Sequence, residues 1–136
     1  MDQRKTFRLD KLVRNNIPRM HEEEGGSVVS RILSGTEIEY AAVKKLKEEV
    51  DELMWSRRER LGNSTAEDEY ADVIEAILGL AAVDGFSRES VINKVDELAE
   101  TKGTFSKGVF IETVTVPPGW LWGYYGSQPE RFPEVM

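Results

Sequence analysis

The sequence predicts a mainly α-helical protein with three long helices and a minor pairing of two short β-strands. Two long segments repeat apolar residues at helical spacing, and both start with a capping-box pattern, Thr36 to Glu39 and Ser64 to Glu67. Two short segments are rich in β-branched residues and alternate as strands do. At 136 residues, the chain has the length of one domain.

Helical periodicity and end signals set the predicted boundaries. The three long helices are predicted over residues 37–60, 65–83 and 88–101, after a short helix over 19–24. Asp84-Gly85 supplies the turn before the third helix, Ser87 caps that helix, and Gly103 ends it. Valine, isoleucine and leucine at helical spacing along the third helix predict that it packs inward, against the first two.

The strand pairing joins the early and late parts of the chain. Residues 27–33 read SVVSRIL, and residues 108–116 read GVFIETVTV. Both are short and β-rich, so we expect them to pair with each other. The segment 1–116 is predicted to form the functional domain, whereas 117–136 is an aromatic tail rich in Gly, Pro, Trp and Tyr without periodicity.

Composition excludes several classes of function. The absence of cysteine excludes disulfides, zinc–thiolate sites and a thiol nucleophile. A net charge of −7 disfavours nucleic acid and anionic membranes as partners. The opening residues are charged, and no apolar run approaches the ~20 residues of a membrane helix. We therefore expect a cytoplasmic protein with no membrane partner.

Two acidic pairs are the most informative feature of the chain. Glu49 and Glu52 are three residues apart in the first long helix, and Glu69 and Asp72 repeat this spacing in the second. Residues three apart share a helix face, and the 16 residues between Glu52 and Glu69 allow an antiparallel hairpin. Four carboxylates facing each other would need a cation, since buried unpaired charge is costly.

A solvated helix face is the competing interpretation. Lys45 lies four residues before Glu49 and would make an ordinary surface ion pair with it. However, Asp72 lies in the apolar stretch YADVIEAILGLAAV, where aspartate is a poor helix former. The repeated spacing favours a metal site, and oxygen ligands favour Mg²⁺ or Mn²⁺.

Such a site predicts phosphate chemistry. Protein-bound Mg²⁺ binds substrate phosphates, polarises a phosphoryl oxygen and activates a water molecule. With one histidine and no cysteine, the chain offers little for covalent catalysis. Hydrolysis by metal-activated water is the simplest mechanism, with Glu48 or Glu49 as a candidate general base.

Three blocks of the sequence resemble the all-α nucleoside triphosphate pyrophosphohydrolases, the MazG-like superfamily. The ExxE and ExxD motifs are similar to Glu49–Glu52 and Glu69–Asp72. The segment KLVRNNIP (11–18) resembles the KLVRDKIP opening of the phosphoribosyl-ATP pyrophosphohydrolase-like house-cleaning subgroup, and ETKGTFSKGVFIETV (100–114) resembles its ending. The resemblance covers residues 11–114.

The resemblance implies a helical bundle, completed as a homodimer or homotetramer, that hydrolyses a nucleotide to a monophosphate and pyrophosphate. It implies a Mg²⁺ site, with Mn²⁺ as a substitute, held by the four acids of the two motifs. It further implies a set of basic residues that bind the substrate: Lys94, Lys102, Arg14 and Lys11. Asn15-Asn16 and Thr101-Lys102 depart from the family pattern and leave the substrate open.

Two alternatives to this function remain. One is a phosphoribosyl-ATP pyrophosphohydrolase of the same fold, which a substrate panel would distinguish. The other is a non-catalytic helical oligomer that binds a nucleotide or a protein partner, which would show no turnover. A purely structural bundle would bind no divalent ion.

Overall fold

The protein is mainly helical, as predicted. A computed structural model describes residues 3–59 and 65–136, and within these ranges it contains five helices. They are α1 (Ile17–Glu23), α2 (Gly35–Glu59), α3 (Thr65–Val83), α4 (Arg88–Lys102) and α5 (Trp120–Gly126). None of the helices in these ranges is both long enough and apolar enough to cross a membrane.

Helices α2 and α3 pack against each other and form the core of the chain. Leu53 and Ala42 of α2 are buried, as is Leu78 of α3. Arg57, near the end of α2, donates a 2.9 Å hydrogen bond to the hydroxyl of Tyr70, near the start of α3. A contact between the end of one helix and the start of the next shows that the two run antiparallel, an arrangement that the spacing of the acidic pairs allows.

The signals around α4 act as predicted. Gly85 adopts a φ of 92°, the left-handed conformation that glycine accommodates in the turn after α3. The backbone N–H of Ser90 donates to the hydroxyl of Ser87 at 3.1 Å, which caps α4. Gly103, with a φ of 84°, ends the helix.

The start of α2 differs slightly from the prediction. The helix begins at Gly35, so Thr36 lies inside the first turn and is not the capping residue. Arg31 instead forms a bidentate ion pair with Glu37 in that first turn. The second capping box and the predicted stop after α2 include residues 60–64, which lie outside the described part of the chain.

The predicted strand pairing is wrong. Neither 27–33 nor 108–116 forms a strand, and the described residues contain no strand at all. Val29 and Ile32 of the first segment are fully exposed, and Phe110 of the second is largely exposed. A two-stranded pairing is marginal in water unless one face packs on other elements. β-propensity alone therefore does not produce a strand here.

Helix α4 forms where predicted, but it does not complete a three-helix core. Among the described residues, α2 and α3 are the only helices whose backbones pack closely together. Ile92, Val95 and Leu98 of α4, which were predicted to face inward, are each at least 41% exposed. A 2.8 Å ion pair between Arg88 and Glu75 joins α4 to α3.

The chain divides into two compact units, Met1–Glu100 and Thr101–Met136. The second unit contains α5, which the sequence pattern did not reveal. Aromatic rings pack against one another around this helix, with Tyr124, Tyr125 and Phe132 at centroid distances of 5.1 to 5.9 Å. The indole N–H of Trp122 donates to the carbonyl of Val116 at 2.9 Å. The tail is thus ordered by its own aromatic side chains.

Candidate metal centre

Three of the four predicted metal ligands come together between α2 and α3. Glu49, Glu69 and Asp72 each offer one carboxylate oxygen, and these oxygens all lie within 4.8 Å of one another. The helical period turns Glu69 and Asp72 to the same side of α3, and packing of α3 on α2 brings them to Glu49. The repeated spacing predicted a convergence of four carboxylates, and the structure brings three of them together.

The cluster contains buried oxygens that lack hydrogen-bond partners. Glu49 is only 7% exposed, although it is an acid. Its Oε2 atom and the Oε2 atom of Glu69 are both buried, and neither accepts a hydrogen bond. A buried oxygen without a partner is unfavourable by about 1–3 kcal/mol, and more if the group is charged. A hard divalent cation would satisfy both oxygens, so the donor set fits Mg²⁺ or Mn²⁺.

Glu52, the fourth predicted ligand, does not join the three-acid group. It nevertheless lies within the electrostatic field of the cluster. Burial raises the pKa of Glu52, and the nearby carboxylates of Glu49, Glu48 and Glu69 raise it further. Glu52 therefore experiences the charges of the cluster without belonging to its three grouped acids.

The pKa of Glu69 is also raised. Burial contributes most, followed by the negative charges of Asp72, Glu49 and Asp68. The folded protein thus disfavours the ionised form of this carboxyl group, as expected where acids crowd without a full set of counter-ions. A bound cation would reverse this effect.

Three basic side chains partly neutralise the acids. Arg14 contacts Asp72 at 2.6 Å, Lys45 contacts Glu49 at 3.0 Å, and Lys11 contacts Glu48. Lys45 also reaches Glu48 at 3.6 Å, so it bridges two acids and is more than the simple surface partner that its spacing indicates. Its spacing, four residues before Glu49 and three before Glu48, was the sequence signal that could have predicted both contacts.

Glu48 is poorly suited to the predicted role of general base. A hydrogen bond from Lys11, 2.9 Å long, lowers the pKa of Glu48 and raises the pKa of Lys11. A carboxylate held ionised by two lysines is a weak proton acceptor, because efficient general bases have a pKa near the working pH. Glu49, the other candidate, is one of the three acids that could hold a metal ion.

The two predicted phosphate-binding lysines of α4, Lys94 and Lys102, lie at different places in the chain's organisation. The ammonium group of Lys94 pairs with Glu97 on its own helix, at 2.9 Å. Lys102 is the last residue of α4 and belongs to the second compact unit. By contrast, Lys11 and Arg14, the other two basic residues of the resemblance, both contact acids at the cluster.

A cavity of about 520 Å³ opens beside the acid cluster, in the first unit. It lies between the segment that contains Lys11, residues 31–33, and the first half of α2. Tyr40 lines the cavity, and Lys45 and Glu48 form the end nearest Glu49. Sequence reasoning missed Tyr40, because an exposed tyrosine on a helix carries no distinctive pattern.

Comparison with known proteins gives no match: no family model, no curated protein and no solved structure is significantly similar to this chain.

Proposed function

We propose that the protein is a Mg²⁺-dependent nucleoside triphosphate pyrophosphohydrolase, which releases a monophosphate and pyrophosphate. The supporting observation is the convergence of Glu49, Glu69 and Asp72 with two buried oxygens that have no hydrogen-bond partner. An all-oxygen site of this kind suits Mg²⁺, which in proteins acts mainly on phosphate groups. The resemblance of the acidic motifs to the MazG-like superfamily agrees with this chemistry.

The side chains around the cluster suit a polyphosphate substrate. Glu49, Glu69 and Asp72 would hold the ion, and Glu52, the fourth acid of the two motifs, would add negative charge near it. A bound ion supplies a Lewis acid for the phosphoryl oxygen and a water of lowered pKa. Because the protein is acidic overall, phosphates need this cation in order to dock.

The cavity beside the cluster provides room for the nucleoside part of the substrate. Its volume of about 520 Å³ falls within the usual range of small-molecule sites. Tyr40 presents an aromatic ring on which a base can stack. Lys45 and Glu48 form the end of the cavity nearest Glu49. A nucleotide whose base stacks on Tyr40 would therefore direct its phosphates towards Glu49.

We also propose that a second copy of the chain completes the bundle, in a homodimer or homotetramer. Tyr70, Ile74 and Ile77 share one face of α3, and each is at least 43% exposed. Exposed apolar residues at helical spacing are typical of a helix that packs on a partner. Light scattering after size-exclusion chromatography tests this, and a monomer at micromolar concentration would contradict it.

The test of the function is pyrophosphate release from a panel of standard and modified nucleoside triphosphates and phosphoribosyl-ATP. Assays with Mg²⁺, with Mn²⁺ and with chelator should compare wild type, Glu69→Gln and the control Glu39→Gln. Glu39 is an exposed acid in the first part of α2, outside the cluster. We expect metal-dependent turnover that Glu69→Gln abolishes and Glu39→Gln retains.

The other outcomes are equally informative. Turnover confined to phosphoribosyl-ATP would select the biosynthetic alternative. Metal binding without turnover of any nucleotide would favour the non-catalytic binding protein. Equal turnover by wild type and Glu69→Gln would show that the acid cluster is not the active site.

A further inference from the structure

A basic segment that precedes α1 lies against the acid cluster. Lys11 and Arg14 contact Glu48 and Asp72, although 37 and 58 residues of sequence separate the partners. The described part of this segment forms neither helix nor strand before residue 17. Two ion pairs between side chains therefore join this segment to the helical hairpin that α2 and α3 form.

The charges of the cluster are incompletely balanced. Five carboxylates of the cluster face three cations, and Asp68 adds a further negative charge near Glu69, so negative charge is in excess. The acids are Glu48, Glu49, Glu52, Glu69 and Asp72, and the bases are Lys11, Arg14 and Lys45. Within the described residues, no salt bridge reaches Glu52 or Glu69. The three bases thus neutralise one side of the cluster and leave the buried Oε2 atoms of Glu49 and Glu69 unsatisfied.

Two of these bases, Lys11 and Arg14, lie outside α2. Of the two, Arg14 is the one that contacts a member of the three-acid group. Its Nη2 atom lies 2.6 Å from Oδ1 of Asp72, a residue of the three-acid group. Both side chains of this pair are more than one third exposed. Exposed ion pairs are weak and exchange readily, whereas a divalent ion and a guanidinium group repel each other at short range.

We propose that Arg14 is an exchangeable counter-ion: a divalent cation that binds Glu49, Glu69 and Asp72 displaces the guanidinium group from Asp72. The inference rests on the proposed metal site and adds a regulatory contact to it. In the metal-free protein, Arg14 neutralises Asp72 and competes with the ion. Metal binding then frees the segment that contains Arg14 from one of its contacts on the helical hairpin.

Calorimetric titration with Mn²⁺ alone tests the competition. Wild type is compared with Arg14→Gln, with Arg14→Lys and with the control Arg8→Gln, since Arg8 lies in the same segment and pairs with Asp10, at 3.5 Å, outside the acid cluster. We expect Arg14→Gln to lower the dissociation constant by about two- to fivefold, the factor that an exposed ion pair corresponds to. Arg14→Lys should fall in between, because lysine keeps the charge but loses the planar fork. Arg8→Gln should leave the constant unchanged.

Nuclear magnetic resonance of the arginine side chains tests displacement directly. A guanidinium group held by a carboxylate rotates slowly about its terminal bonds and gives separate Nη signals. Mg²⁺ should collapse the Arg14 signals in wild type, and it should leave them unchanged in Glu69→Gln. Arg14→Lys assigns these signals by their disappearance, and circular dichroism checks that each variant retains its helices.

The outcomes separate this inference from the proposed function. If wild type binds no Mn²⁺, the metal site itself is refuted, and the exchange with it. If wild type binds Mn²⁺ but Arg14→Gln binds it equally or more weakly, the exchange alone is refuted. If Arg14→Gln binds Mn²⁺ more weakly and the Arg14 signals of wild type persist in Mg²⁺, then Arg14 orients Asp72 for the ion and is not displaced by it.

Discussion

Removal of one carboxylate from the cluster should stabilise the metal-free protein. In Glu69→Gln, the amide keeps the shape of the side chain but removes its negative charge. Burial and the charges of Asp72 and Glu49 raise the pKa of Glu69, so the fold favours its protonated form. The ionised form present at pH 7 is therefore unfavourable, and the variant is free of that penalty.

The distances in the cluster set the size of the effect. Two unit charges 4.8 Å apart repel by about 1 kcal/mol even in a water-like dielectric. Glu69 has two such neighbours, Glu49 and Asp72, whose contacts with Lys45 and Arg14 offset part of the repulsion. We expect Glu69→Gln to raise the free energy of unfolding by about 1 kcal/mol in chelator at pH 7. The corresponding rise in Tm is about 4 °C for a chain of this length.

Thermal unfolding followed by circular dichroism measures this effect as a function of pH and metal. Because the pKa of Glu69 is raised in the fold, the penalty is absent below the unfolded value of about 4.3, grows as pH rises from there towards the folded value, and is complete above it. The advantage of the variant should therefore disappear near pH 4. With Mg²⁺ at 100 times its dissociation constant, wild type should gain about 2.7 kcal/mol and become the more stable protein.

A loss of stability in the metal-free variant would refute this reasoning. It would mean that Glu69 is a satisfied structural acceptor and not an excess charge. Glu39→Gln, which removes an exposed acid of α2, should change Tm little at any pH. A gain in both variants would indicate a general effect of net charge.

Three further perturbations follow from the structure. Leu53→Ala should lower the free energy of unfolding by about 2–3 kcal/mol in urea titrations, because Leu53 is buried between α2 and α3, whereas exposed Met54→Ala should cost less than about 1 kcal/mol. Lys11→Met should destabilise the protein by about 0.5 kcal/mol at pH 7. Lys11 lowers the pKa of Glu48, so the difference in free energy of unfolding between wild type and Lys11→Met is present above the unfolded pKa of that carboxyl group. It should vanish as acid protonates Glu48 in the fold, and a difference that is undiminished at pH 2 would contradict this expectation. Tyr40→Ala should raise KM severalfold with little change in kcat, and Tyr40→Phe should resemble wild type; an unchanged KM in Tyr40→Ala would exclude the cavity as the nucleoside site.

The helices could be predicted from the sequence because their signals are local. The pattern of apolar residues placed α3 at 65–83, and the structure has Thr65–Val83. Ser87 and Gly103 bracket α4 as expected, since a cap and a left-handed glycine act within a few residues. The short helix α5 escaped prediction because its seven residues are too few to show a period.

The strands and the packing of α4 could not be predicted in the same way. Val29 and Ile32 have high β-propensity, but a strand needs a partner and a surface to cover. The apolar residues of α4 have helical spacing, which specifies a face but not the surface that this face meets. Both errors arose where local preference was extended to a long-range contact.

The sequence by itself determined that Glu49 and Glu52 share one face of α2, and that Glu69 and Asp72 share one face of α3. Local hydrogen bonds fix the helical period, and this period sets which residues share a face. Only the tertiary structure decided that Glu49, Glu69 and Asp72 meet while Glu52 stays outside this group. It also decided that Arg14, 58 residues away in sequence, pairs with Asp72. These contacts depend on how α2 and α3 rotate as they pack, and side-chain packing across the whole interface sets that rotation.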